Sequence, residues 1–105
     1  MTTVDYWLTS STDDLDTAEK LFAAKKYHHC LFFVHLAIEK LLKAIYVSKK
    51  NDAAPPIHDL VRLAQKTEAV HLDDATIAQL TEISTFNVAA RYDDYKLQFH
   101  KKATA

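Results

Sequence analysis

The chain has 105 residues, 49% of them apolar, with 13 basic side chains against 14 acidic ones and a formal charge of -1. That length suits one domain with one core, and the charge balance excludes a disordered acidic or basic tail. It also excludes the broad basic excess of an ordinary nucleic-acid binder, so any RNA contact has to come from a local patch or from a groove between copies.

The opening segment, MTTVDYWLTSSTDDLD, lacks the basic start and apolar run of a signal peptide. A reducing cytoplasm is expected, and the single Cys30, set in an apolar run, reads as a small buried hydrophobe. Thr2 or Thr3 caps a first helix. Its inward line is Trp7, Ser11, Leu15, Ala18 and Phe22, widened by Val4, Leu8 and Leu21, with Asp13, Asp14, Asp16, Glu19 and Lys20 opposite. Lys25 and Lys26 favour its carboxyl end, and Tyr27, His28 and His29 make the turn that follows. The two adjacent histidines point to different sides of the chain, which is poor geometry for a shared metal. No metal site and no cofactor are expected.

The run from Cys30 to Val47, CLFFVHLAIEKLLKAIYV, is the central helix of the reading. Cys30, Phe33, Ala37, Leu41 and Ala44 line one side, and Leu31, Val34, Ile38, Leu42 and Ile45 line the next, so the helix must be covered almost all round. Charged residues in its middle would each be costly in hydrocarbon, which makes it a core helix rather than a membrane span. One narrow polar stripe interrupts the coat: His35, Glu39 and Lys43, with Lys40 on its flank. The stripe is either the solvent edge of a core helix, carrying a Glu39 to Lys43 ion pair worth a few tenths of a kcal/mol, or part of a functional site.

Lys49, Lys50 and Asn51 suit the end of this helix, and Pro55-Pro56 forbids continuation through the linker SKKNDAAPP. A third helix follows with Ile57, Leu60, Val61 and Ala64 inward. Asp73 caps a fourth, with a staple between Leu72 and Ile77, and its inward line is Ile77, Leu80, Ile83 or Ser84, and Asn87. Val88 to Tyr92 then leads through Asp93-Asp94 to a last helical stretch, YKLQFHKKATA. No strand alternation and no repeat is visible. The expected architecture is all-α, an antiparallel four- to five-helix up-and-down bundle spanning residues 1–105 as a single domain.

The chain holds no glycine, so it carries no glycine-rich phosphate loop or dinucleotide fingerprint, and it shows no nucleophile elbow. What chemistry it offers lies in His35, Glu39, Lys43, His58, Asp59, Asn87, Arg91, Tyr92 and His100. Arg91 falls at a joint between helices, where its guanidinium can clamp a phosphate or brace the bundle by pairing with Glu39. His58 either caps the third helix or serves as an acid-base group, and His35 either sits at a helix seam or does the same.

Three segments in this order resemble the HEPN domain family: Ala37 to Ala44 (AIEKLLKA), Ile57-His58-Asp59-Leu60, and Ala90-Arg91-Tyr92-Asp93. The resemblance covers nearly the whole chain and is to the subgroup with an Ala-Arg-Tyr-Pro segment, with Asp93 in the place of the proline. It implies a helical bundle, usually homodimeric, often paired with a minimal nucleotidyltransferase in a toxin-antitoxin or defence module, and a final helix longer than the one present here. It also implies a nucleotide- or RNA-interacting role, with Glu39, Lys43, His58, Arg91 and Tyr92 as the binding set. Many family members are metal-independent ribonucleases using an Arg, then four to six residues, then a His; the candidate pair here, Arg91 and His100, has eight residues between. On one helix these would lie about 180 degrees apart and roughly 13 Å along the axis, so the binding role is favoured over the ribonuclease. A purely structural interaction module, in which Glu39, Lys43 and Arg91 only brace the bundle, is the third reading. Dimerisation is expected through Val88, Leu97 and Phe99, apolar residues near the carboxyl end.

Overall fold

The computed structural model describes residues 2–86, and these form four helices with no strand among them. The first, α1, spans Thr3–Ala23. Thr2 is its cap: the Thr2 hydroxyl accepts from the Asp5 N–H at 3.1 Å, while the Asp5 carboxylate accepts from the Thr2 N–H at 3.3 Å. Two backbone donors without helical partners are thereby satisfied at once.

Helix α2 spans Tyr27–Lys50. The turn between α1 and α2 is shorter and earlier than the sequence suggests, because Ala24 to Lys26 complete it and Tyr27, His28 and His29 already belong to the first turn of α2. So short a connection forces the helices antiparallel. The pairing is visible along their length, from Phe22 against Tyr27 at the turn, through Ser11 donating to the Ala37 carbonyl at 2.6 Å, to Trp7 beside Lys43. Lacking glycine, the chain closes its described helices on other residues in left-handed conformation: Lys25 after α1, Asn51 after α2 and Glu68 after α3, with φ of 62, 51 and 55°. Asparagine tolerates this region; lysine and glutamate do so at a cost of about 1–2 kcal/mol each.

After the proline pair, α3 spans Leu60–Thr67, and a fourth helix, α4, covers residues 74–86. Asp59 caps α3, its carboxylate accepting from the Val61 and Arg62 N–H groups at 3.0 and 3.1 Å. The Leu60 N–H has no partner in its own helix and donates instead to the Ser84 hydroxyl of α4 at 3.0 Å. Asp73 caps α4 as expected, accepting from the Thr76 N–H at 2.7 Å. The core lies where α2, α3 and α4 meet, built from Leu42, Leu60, Leu63, Ala64 and Leu80, with Ile38, Ile45, Ile57, Val61, Leu72 and Ile83 packed around it. An all-helical bundle follows from these packings.

Two faces differ from the periodicity reading. On α1, Leu15 and Phe22 are 49% and 64% exposed, whereas Asp14, assigned outward, is buried. The reason is Lys40 of α2, whose ammonium meets the Asp14 carboxylate and the Ser10 hydroxyl, each at 2.7 Å, and so turns the face by about one residue. On α2 the polar stripe is not the solvent edge, because His35, Glu39 and Lys43 are buried while Leu31 and Leu41 are exposed.

Candidate functional site

Glu39 sits in the middle of a core helix with its side chain 6% exposed. A lone carboxylate there would cost several kcal/mol, so what surrounds it decides what it can do. Three groups converge on it from two directions. One turn along α2, the Lys43 ammonium donates to Oε2 at 3.2 Å. From the segment before α3, His58 Nδ1 lies 3.0 Å from Oε1, and since a carboxylate only accepts, that nitrogen carries the proton. One turn back along α2, His35 Nε2 lies 3.9 Å from the same oxygen and 3.1 Å from the His58 carbonyl, to which it donates. His35 therefore holds the His58 backbone while Glu39 holds the His58 ring.

The consequence is a fixed imidazole. With Nδ1–H directed at a buried carboxylate, the Nε2 edge of His58 is the one left for other partners, and the His58 side chain is 57% exposed. A carboxylate behind an imidazole sets its tautomer and steadies the positive charge if the ring takes a second proton. This is the arrangement by which an acid-base or ligand-holding histidine is oriented. The α3 cap is left to Asp59, the neighbour of His58, so the proline-bearing linker delivers both residues to separate tasks.

Lys43 is otherwise engaged. Its side chain is 9% exposed, held at one side by Glu39, and its ammonium stands 5.4 Å from the centroid of the Trp7 ring, within cation-π reach. Trp7 in turn meets Tyr6 edge to face at 5.3 Å. The described residues thus bring together three members of the expected binding set, Glu39, Lys43 and His58. Arg91, Tyr92 and His100 lie outside the described residues, as do the expected Glu39 to Arg91 pair and the apolar trio Val88, Leu97 and Phe99.

Sequence reasoning did not assign Trp7 to this site, and it gave His35 no partner. The available signal was the depth of Lys43 in an apolar helix, since a buried ammonium needs both a counter-charge and a covering surface, and an aromatic face supplies the second. Among the described residues no group of three metal-ligating side chains occurs, and no helix is long and apolar enough to cross a membrane.

The family model of the HEPN domain matches residues 4–105, and the chain belongs to that family. Its function is accordingly nucleotide- or RNA-related. No curated protein and no solved structure matches the chain.

Proposed function

We propose that this member of the HEPN family is a non-catalytic nucleotide- or RNA-binding protein of the Ala-Arg-Tyr-Pro-type subgroup. It works as a cytoplasmic homodimer in a two-component module of toxin-antitoxin or defence type, whose other member is a nucleotidyltransferase-like protein. The observation that carries the binding reading is the Glu39 to His58 contact, in which a buried carboxylate orients an exposed imidazole. Buried ion pairs are weak stabilisers, and a well-packed apolar set of the same volume is often as stable or more so. Placing Glu39, Lys43 and His35 in the wall of a core helix is therefore better accounted for by a ligand than by folding. The non-catalytic part rests on the spacing of Arg91 and His100 along the chain.

The test is calorimetric titration of the wild type, Glu39→Ala and His58→Ala with adenosine and guanosine nucleotides, beside an RNA cleavage assay in chelator. The reading expects wild-type binding that weakens at least about tenfold in both variants, the scale of losing one hydrogen bond to a charged group, and no cleavage by any of the three. Nucleotide binding unchanged in both variants refutes the site. Wild-type cleavage abolished by His58→Ala would instead make the oriented imidazole a general base and the protein a ribonuclease. Co-expression with the neighbouring reading frame tests the module, and a nucleotidyltransferase-like protein that co-purifies is the expected result.

A further inference from the structure

The opposite end of the α1 and α2 hairpin holds a second concentration of unusual surface. From Lys20 to Ile38 the sequence contains no aspartate or glutamate, in a chain whose acidic residues otherwise outnumber its basic ones. The stretch from Phe22 to His29 is exposed at every residue, and it presents Lys25, Lys26, His28 and His29 together with two large aromatic rings. Phe22 is 64% and Tyr27 52% exposed, and their rings meet edge to face at 5.7 Å, forming an exposed aromatic pair. Among the described residues no carboxylate pairs with Lys25 or Lys26, whereas Lys20 is taken by Asp16 at 2.9 Å. Lys25 also occupies a left-handed position that glycine would hold at less cost, so the turn keeps a cation where backbone energetics favour its loss.

We propose that this tip is a docking surface for single-stranded RNA, with phosphates on Lys25, Lys26 and His29 and bases stacked on Phe22 and Tyr27. Cations interleaved with exposed rings match a flexible anionic strand whose bases are unpaired, since each ring offers a stacking face and each lysine a phosphate contact. A duplex keeps its bases inside and can use only the lysines. The tip lies about 18 Å along α2 from Glu39, twelve residues away, so it is a second site. The inference takes only the class of ligand from the functional reading above, and the two fail separately.

Fluorescence anisotropy of a short labelled RNA of mixed sequence, read across a salt series, tests it on the full chain. The wild type is expected to bind single strands more tightly than the matching duplex. Phe22→Ala and Tyr27→Ala should each weaken binding about fivefold or more, and Lys26→Gln should lower the salt slope by about 0.7. Lys25→Gly gives the sharpest result, because it should raise the melting temperature while weakening RNA binding, a combination that partial unfolding cannot produce. Mononucleotide binding should be the same in all four variants as in the wild type. RNA binding lost in His58→Ala but kept in the tip variants would assign the strand to the other site and overturn the proposal. Equal affinity for duplex, or binding to anionic phospholipid vesicles with none to RNA, would overturn it as well.

Discussion

Replacing Lys43 with methionine keeps most of the side chain's packing against Trp7 but removes the charge that faces Glu39 at 3.2 Å. The Glu39 carboxylate, 6% exposed, would then be left with two imidazoles, neither carrying an obligatory charge. Removing one partner of a buried pair typically costs about 3–5 kcal/mol, and an exposed pair less than about 1. At this chain length about 4 °C of melting temperature corresponds to 1 kcal/mol, so Lys43→Met should lower it by about 12–20 °C. Glu39→Gln alone should cost less, since the amide oxygen can still accept from His58 Nδ1. The double variant should recover most of the loss, because the uncompensated charge is gone. Urea unfolding followed by circular dichroism on all four proteins gives the cycle, with a coupling energy toward the upper end of the usual 0.5–3 kcal/mol for residues in one network. A Lys43→Met loss below about 1 kcal/mol that simply adds to that of Glu39→Gln would show the pair to be solvated, and the argument from burial would fail.

Ser84→Ala should cost about 1–3 kcal/mol, because the Leu60 N–H, on a residue with no exposed surface, loses its only partner among the described residues; a loss within about 0.5 kcal/mol, in chemical denaturation, would mean that another group satisfies it. Leu63→Ala should cost about 2–5 kcal/mol by the same assay, since Leu63 is wholly buried in the central cluster. The hydroxyl and backbone N–H of Thr76 hold the Asp73 carboxyl below its ordinary 3.8. Its folded value being the lower one, the cap's contribution is fully present above about 3.8 and is lost as pH falls through that lower value. NMR titration should show this, with Thr76→Val moving the transition back up; an unmoved transition would contradict the assigned cause.

Much of the architecture is legible in the residues because local rules govern it. The caps at Thr2 and Asp73, and the left-handed close at Asn51, follow from residue type and position alone. Leu60, Ala64 and Leu80 are inward as their spacing requires. What periodicity cannot supply is which face of a helix that is apolar nearly all round meets its neighbours. On α2 the polar stripe could be edge or core, and the choice is made by residues distant in sequence, His58 and Trp7, which satisfy Glu39 and cover Lys43. Asp14 shows the same limit: it stands in an acidic run that reads as solvated, and only Lys40 on the other helix explains its burial. The convergence of Glu39, Lys43 and His58 was accessible through the family's segments, whereas the direction of the His58 ring required coordinates.

The account's central claim is that Glu39 fixes the His58 ring so that Nε2 meets a ligand. Its most direct test is a nitrogen-15 NMR spectrum of the histidine side chains, recorded free and with nucleotide. The claim predicts that the uncharged His58 ring carries its proton at Nδ1 and is bare at Nε2, that this tautomer is lost in Glu39→Ala, and that the Nε2 resonance moves on nucleotide addition. A ring protonated at Nε2 alone, or an Nε2 resonance unmoved at saturating nucleotide, would contradict it.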